Sequence, residues 1–258
     1  MRRNLVKKKL MAGETVIGTM IQEMVSPSSA QIVKQLGFDF FMLDMEHGPY
    51  TLKYAGDILR VGRILDLCPV VRVASAEYHL ICQPLDHGAM GVMLPRTETR
   101  EQVELLVESV KYPPMGKRGY SSESPHTEYT FGPVPEYIEM NNEDTLVIVQ
   151  IERKAAVDNL DEILSVPGVD VALMGLEDLS ISLGRPGQSD HPDVSAAVEK
   201  VIAACERHNV VSGIHTGGAE TLLGWMDKGM RYIMCSCDLC FMMDAAAADL
   251  AKLRCKTS

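Results

Sequence analysis

The sequence predicts an α/β fold, a (β/α)8 TIM barrel, from three observations. Its length of 258 residues is close to what such a barrel uses for one domain. Short apolar runs rich in β-branched residues alternate with longer amphipathic segments from one end to the other, which is typical of βα units around a parallel sheet. Eight such units can be counted along the chain. We therefore expect residues 1–258 to form a single barrel domain.

The predicted strands are mostly continuous apolar runs, as expected of strands that are covered on both faces. They span residues 16–22, 38–46, 69–73, 91–95, 146–151, 169–174, 211–215 and 232–237.

The segments between the strands predict the outer helices, because their apolar residues recur at spacings of three and four. The clearest are residues 30–36, 100–110, 155–164 and 194–208. Thr99, followed by Glu101 and Gln102, is a typical helix start.

Two segments depart from this alternation. Residues 112–135, between the fourth and fifth strands, are rich in proline and glycine, and a loop of that length is usually functional or mobile. The residues after Asp238 predict an alanine-rich apolar helix that either closes the barrel or packs against a neighbouring subunit.

Charge and composition exclude several classes of protein. The net charge of −10 argues against nucleic-acid binding, which needs a basic face. No apolar run reaches the length of a membrane span, and no signal peptide is apparent, so we expect a cytoplasmic protein that does not enter a membrane.

The cysteines predict reduced thiols, because there are seven of them and they are dispersed through strands and helices. A cluster of Cys235, Cys237 and Cys240 could in principle hold a metal. We favour the structural interpretation, because Cys235 and Cys237 share one apolar strand and no second CxxC accompanies them.

Polar residues are concentrated at the carboxyl ends of the predicted strands, which is where the active sites of such barrels lie. They are Gln22, Glu46, His47, Arg72, Arg96, Gln150, Glu152, Asp178 and His215.

Two interpretations of Glu152 and Asp178 remain open. Carboxylates that follow adjacent strands supply the hard oxygen ligands accepted by Mg²⁺, Mn²⁺ or Co²⁺, with coordination positions left for substrate. Both residues also precede helical segments, where a negative charge can simply cap the helix.

His47 and Arg72 are candidates for a base and an anion-stabilising cation that face one substrate. Alternatively, His47 is a structural histidine and Arg72 pairs with Asp44, Glu46 or Asp86. No lysine lies at the carboxyl end of a predicted strand, which argues against Schiff-base chemistry. The serine-hydrolase, P-loop and dinucleotide-binding motifs are also missing from the sequence.

An ordered set of motifs resembles the HpcH/HpaI family of class II 2-keto-acid aldolases, named for the dihydroxyheptenedioate aldolase of aromatic compound catabolism. The set covers roughly residues 14–237 and is specific as a whole. It consists of Leu43-Asp44-Met45-Glu46-His47-Gly48, Val70-Val71-Arg72-Val73, Gly91-Val92-Met93-Leu94-Pro95, Gly116-Lys117-Arg118-Gly119, Val149-Gln150-Ile151-Glu152 and Gly175-Leu176-Glu177-Asp178-Leu179-Ser180 followed by Leu183-Gly184.

The resemblance implies a metal-dependent lyase that joins or separates a pyruvate-like 2-keto acid and an aldehyde. By the same resemblance, Glu152 and Asp178 would bind the divalent metal, and Glu46 would hold metal-bound water. His47 would be the base, oriented by Asp86, and Arg72 would stabilise the enolate oxygen. The substrate carboxylate would be contacted by Gln150 and the backbone of Gly175, Leu176 and Glu177, and Arg118 would lie near the site mouth. It also implies a homo-oligomer, typically a hexamer that exchanges carboxyl-terminal helices.

Leu176-Glu177 departs from the family pattern, in which Pro-Ala usually precedes the aspartate ligand. Together with His215, this change leaves the aldehyde partner open. Two alternatives also stay open: a related lyase that acts on citramalyl or malyl thioesters, and a barrel that has lost catalysis and serves as a subunit.

Overall fold

Eight parallel strands close into a barrel in sequence order, β1 to β8, in a computed structural model that describes residues 2–130 and 132–256. The strands are β1 Val16–Ile21, β2 Phe40–Asp44, β3 Cys68–Arg72, β4 Gly91–Leu94, β5 Leu146–Ile151, β6 Val171–Gly175, β7 Val211–Thr216 and β8 Tyr232–Cys237. Each end lies within two residues of the sequence-based prediction, so the predicted barrel is confirmed.

Helices connect the strands on the outside of the barrel. They are α1 Leu5–Met11, α2 Ser28–Gln35, α3 Leu52–Ile64, α4 Tyr78–Asp86, α5 Arg100–Val110, α6 Val134–Asp144, α7 Lys154–Asp158, α8 Leu160–Leu164, α9 Leu176–Ser182, α10 Pro192–His208, α11 Ala219–Asp227 and α12 Asp238–Arg254. The expected start of α5 is present, because Thr99 and Gln102 form a capping box.

Two apolar layers hold the barrel together. One fills its interior and includes Met42, Met93 and the stacked rings of Phe40 and Tyr232, whose centroids are 4.3 Å apart. The other layer packs the outward faces of the strands against the helices. Helix α1 adds Val6 and Leu10 to the inner layer.

Helix α1 covers one mouth of the barrel, so that the other mouth is the one open to a ligand. Asn4 at its start donates to the backbone carbonyls of Met90 and Asp144, just before β4 and β5 begin. Helix α1 therefore lies across the amino-terminal mouth, and the carboxyl ends of the strands form the other mouth.

The long segment between α5 and α6 lies at the amino-terminal end, away from the strand carboxyl ends. Its Arg118 donates to Asp86, at the end of α4, over 2.7 Å, and the His126 carbonyl accepts from Arg63, near the end of α3. A segment that follows an outer helix and leads into the next strand lies at this end of a barrel. Within one chain Arg118 therefore lies at the amino-terminal end of the barrel, and its expected position near the site mouth stays a prediction.

Helix α12 follows β8 and contains no buried residue. Within the described residues, no helix is long and apolar enough to cross a membrane.

Candidate active site

A cavity of about 680 Å³ opens at the carboxyl ends of the strands. That volume lies in the range typical of small-molecule sites. Most of the polar residues predicted at the strand ends line it, namely Gln22, His47, Arg72, Gln150, Asp178 and His215. Gly175, Leu176 and Glu177 line the same wall as Asp178.

Glu152 lies deeper than these residues, and both of its carboxylate oxygens have fixed partners. Oε1 accepts the backbone N–H of Arg96 over 2.7 Å, and Oε2 accepts Nε2 of Gln150 over 2.5 Å. A Cβ atom at Gly175 would lie 2.8 Å from both Gln150 Nε2 and Glu152 Oε2, so only glycine leaves room for this pair.

Neither carboxylate forms a side-chain capping hydrogen bond with α7 or α9 in the described structure. The residues that begin α7 and α9 are Arg153 and Gly175, and in the described structure neither helix has a side-chain cap. Asp178 lies in the first turn of α9, where the helix dipole favours a negative charge, and it is exposed toward the cavity, so its position fits both a helix-end charge and a metal ligand.

The electrostatics around Glu152 favour a bound cation. Burial, together with the negative charges of Asp178 and Glu46, raises the pKa of Glu152 to about 7 against the opposing effects of the Arg96 N–H and Arg72. A divalent cation between these carboxylates would relieve both their desolvation and their repulsion.

The protein supplies only part of a coordination shell. Among the residues that the structure describes, no three His, Cys, Asp or Glu side chains form a complete metal-binding group. Glu152 and Asp178 fit a divalent metal that keeps water or substrate in its remaining positions, as Mg²⁺ commonly does.

Arg72 is held in place by Asp44, a residue that the sequence analysis named only as an alternative partner. Its Nε and Nη2 donate to the two Asp44 oxygens over 2.8 and 2.6 Å. Burial alone would raise the pKa of Asp44, but the ion pair with Arg72 outweighs it and lowers that pKa. This pairing does not remove Arg72 from the site, because its side chain still lines the cavity.

Glu46 lies between two arginines. Its Oε1 is 3.1 Å from Arg96 Nε, and its Oε2 is 3.6 Å from Arg72 Nε. The sequence placed Arg96 at the end of β4 without giving it a role. The structure shows that its backbone fixes Glu152 and its side chain fixes Glu46.

His47 is an exposed member of the group. The Asp44 carboxylate accepts its backbone N–H over 3.3 Å, while the imidazole is 62% exposed and its Nε2 lies 3.8 Å from Glu46 Oε2. Its ring can therefore reach a substrate that enters the cavity.

The expected bond between Asp86 and His47 is not made within one chain. Asp86 is the last residue of α4 and pairs with Arg118 at the amino-terminal end of the barrel. His47 follows β2 at the other end, so the length of the barrel separates the two side chains.

The last two strands contribute further cavity residues. His215 Nε2 lies 3.2 Å from the Ser236 carbonyl, and burial lowers the pKa of His215 to about 4, which keeps the ring neutral. Its Nε2 then donates to Ser236, and its Nδ1 is left as an acceptor.

Sequence reasoning missed the role of Asp238. Its carboxylate accepts the backbone N–H groups of Gln22, Glu23 and Met24, over 3.0, 3.0 and 2.8 Å. It thereby ties the end of β8 to the end of β1. The signal was available, because Asp238 directly follows the last predicted strand.

Comparison with known proteins gives a consistent result. The profile of the HpcH/HpaI aldolase/citrate lyase family matches residues 22–244. The chain is 33% identical over 249 residues to the hydroxypyruvate/pyruvate aldolase of Roseobacter denitrificans, with 96% of each chain covered. It is 34% identical to the 2-dehydro-3,6-dideoxy-6-sulfogluconate aldolase of Pseudomonas putida, with 92% of each covered.

A solved structure is also closely similar. The crystal structure of an HpcH/HpaI aldolase from Desulfitobacterium hafniense superposes with a TM-score of 0.94 at 32% identity, and the alignment covers 98% of this chain and 97% of that one.

Proposed function

The chain belongs to the HpcH/HpaI aldolase/citrate lyase family and is a carbon–carbon lyase, and we propose the following reaction for its cavity. It forms or cleaves the bond between the enolate of a pyruvate-like 2-keto acid and an aldehyde. The observation that carries the proposal is the buried carboxylate of Glu152, close to the charge of Asp178 and beneath a cavity that Arg72 and His47 also line.

Glu152 and Asp178 are the proposed ligands of a divalent metal, which would be Mg²⁺, Mn²⁺ or Co²⁺. Such an ion acts as a Lewis acid that stabilises the negative charge developed on a 2-keto acid. Glu46 lies close behind, where it can accept hydrogen bonds from ordered water, and Gln150 and Arg96 keep Glu152 in position.

Arg72 is proposed to stabilise the enolate oxygen. Its guanidinium stays protonated because Asp44 and Glu46 lie beside it. The hydrogen bond with Asp44 and the charges of both carboxylates raise the pKa of Arg72, although burial alone would lower it. A cation fixed in this way needs no reorganisation when charge develops in the transition state.

His47 is proposed as the base that takes the proton from the C4 hydroxyl in the cleavage direction. Its exposed ring can reach an aldehyde-derived hydroxyl at the outer part of the cavity, and an imidazole suits proton transfer near neutral pH. Gln150 and the backbone of Gly175, Leu176 and Glu177 border the space proposed for the substrate carboxylate. We assign Arg118 no step.

We also propose a homo-oligomer, a hexamer by family analogy, in which α12 packs on or exchanges with a neighbouring copy. The support is that α12 has no buried residue and exposes apolar side chains along its length, for example Phe241, Met242 and Leu253. In such an assembly the Asp86 that orients His47 would come from another copy. The free cysteines suit the cytoplasm, where we propose that the protein acts.

Exchange of the pyruvate methyl protons in deuterated water tests the central claim. The purified protein with Mg²⁺ or Mn²⁺ is expected to catalyse this exchange, because enolate formation does not require the aldehyde. Absence of metal-dependent exchange would overturn the proposal.

Two variants separate the proposed roles. Glu152→Ala is expected to abolish metal binding, measured by calorimetry, whereas His47→Ala is expected to keep metal binding and to lose aldol turnover. Glu162→Ala, at an exposed position on α8, is the matched control and is expected to change neither. Metal binding by Glu152→Ala as tight as that of the parent would contradict the ligand assignment.

A further inference from the structure

Two thiols that the proposed reaction does not use face each other on the wall of the cavity. The Sγ atoms of Cys237 and Cys240 are 2.8 Å apart, and Cys237 Sγ also accepts the backbone N–H of Cys240 over 3.2 Å. Both residues line the cavity. Neither thiol has a place in the chemistry assigned to His47, Arg72 and the carboxylates.

The local backbone brings the two sulfurs together. Cys237 ends β8 and is the residue that precedes α12, and Cys240 lies in the first turn of that helix of 17 residues. A spacing of three residues at a helix start places both side chains on one side of the first turn. Since a disulfide has a bond length of about 2.05 Å, the sulfurs need only a small approach to form one.

The two cysteines differ in accessibility, which gives them different roles in a redox reaction. Cys240 is exposed, whereas Cys237 is 4% exposed, and burial raises the pKa of Cys237 to about 11. Because Cys240 lines the cavity, its thiol is the one that meets a reagent entering there, and the buried thiol of Cys237 is placed to react with it afterwards.

No other pair of cysteines within residues 2–130 and 132–256 has its sulfurs in hydrogen-bonding contact. Cys235, two residues before Cys237, packs against the layer between the strands and the helices. Cys68 and Cys205 are buried, and burial raises the pKa of each to about 12. Among the described residues, Cys237 and Cys240 are thus the pair of thiols placed to form a disulfide.

We propose that Cys237 and Cys240 form a reversible dithiol–disulfide site that exchanges with low-molecular-weight disulfides of the glutathione class. The Cys240 thiolate attacks one sulfur of the small disulfide, which forms a mixed disulfide and releases the first small thiol. Cys237 Sγ then attacks the Cys240 sulfur, and its proton leaves with the second small thiol. The two protein thiols are oxidised, and one small disulfide is reduced to two thiols.

The test is to equilibrate the folded, full-length protein with oxidised and reduced glutathione, to measure intact mass, and then to unfold the protein and alkylate the remaining thiols. Oxidation is expected to lower the mass before alkylation by about 2 Da, corresponding to two hydrogens, and to remove two of the seven alkylatable thiols. Cleavage before Asp238 separates Cys237 from Cys240, so the disulfide should appear as two linked peptides that dithiothreitol releases.

Variants of single cysteines identify the partners. Cys237→Ser is expected to leave a persistent glutathione adduct on Cys240, because no second thiol resolves it. Cys240→Ser should form neither the adduct nor the internal disulfide. Cys235→Ser, the matched control on the same strand, should behave as the parent does.

The proposal is overturned if excess oxidised glutathione leaves all seven thiols alkylatable, or if the linked peptides contain Cys235 or Cys255 instead of Cys240. Both outcomes are independent of aldolase activity, so the fate of the proposed reaction does not decide this test.

Discussion

A single residue, Glu152, makes the stability of the folded protein and the binding of a cation depend on pH. Its pKa is about 7 in the folded protein, whereas its ordinary value is 4.5. Because the folded value is raised, the contribution of Glu152 to stability is fully present below about pH 4.5 and is lost as pH rises through about 7. A cation that binds the ionised form opposes this loss.

We therefore expect metal binding to release a proton from Glu152 between about pH 5 and 7. Calorimetric titration with Mg²⁺ in buffers of different ionisation enthalpy measures that release. Mg²⁺ should also raise the unfolding temperature more at pH 8 than at pH 5.5, and Glu152→Gln should remove the difference. Equal stabilisation at the two pH values would contradict the assignment of the cation to this carboxylate.

Gly175 offers a second test of the same carboxylate. In Gly175→Ala the new methyl group would lie 2.8 Å from Glu152 Oε2 and from Gln150 Nε2, so both side chains must move. We expect the apparent metal affinity to fall by roughly ten- to a hundred-fold, as when groups that orient a ligand are disturbed.

The matched control for Gly175→Ala is Gly217→Ala on the same cavity, where an added Cβ would meet no atom within 4 Å. It should keep the affinity of the parent. Similar losses in both variants would show that the effect comes from general disturbance of the rim and not from Glu152.

At this scale the sequence predicted the position of some residues in the barrel but not of others, for a physical reason. Polar side chains at the carboxyl ends of strands share one mouth, so Gln150, Asp178 and His215 were predicted from position alone, and they line one cavity. Asp86 and Arg118 follow no strand, and the family motifs that suggested them contain no information on the end of the barrel at which they lie. Their pairing at the amino-terminal end needed coordinates.

The strands could be predicted from the sequence because a strand of a parallel barrel is buried on both faces and therefore has a continuous apolar sequence. Strands buried on both faces are recognisable as continuous apolar runs, which is why all eight were found close to their observed ends. The length and proline content of the 112–135 segment suggest function but do not predict at which end of the barrel the segment lies. Its place in the chain, after a helix and before a strand, was the better guide.

The connection between β8 and β1 depends on Asp238, and it predicts a stability effect at the scale of elements. Asp238→Ala leaves three backbone N–H groups of residues 22–24 without their acceptor. We expect a loss of about 1–3 kcal/mol in the free energy of unfolding, measured in urea.

Asp249→Ala is the control, because Asp249 is an exposed residue of α12 that pairs only with Lys252, also exposed. A change below about 0.5 kcal/mol is expected for it. Equal stability of the two variants would mean that the Asp238 carboxylate does not tie the ends of the two strands together.

The whole molecule carries an apolar surface that a lone chain does not cover. Helix α12 has 17 residues, none of them buried, and it exposes Met242, Met243, Leu250 and Leu253 by 47–66%. Most of the stability of a helix in a protein comes from the packing of one face and not from the intrinsic propensity of its residues. We therefore expect its stability to come from contact with another copy.

We predict that the parent protein is an oligomer and that Leu250→Asp combined with Leu253→Asp lowers its mass, measured by light scattering after size exclusion. Charged carboxylates in an apolar interface are costly to desolvate, so they should separate the copies while the barrel stays folded by circular dichroism. Leu105→Asp, on α5 and also 47% exposed, is the control and should keep the assembly. A monomeric parent, or equal dissociation by the control, would contradict the role given to α12. The proposal that Asp86 of another copy orients His47 would then fail as well.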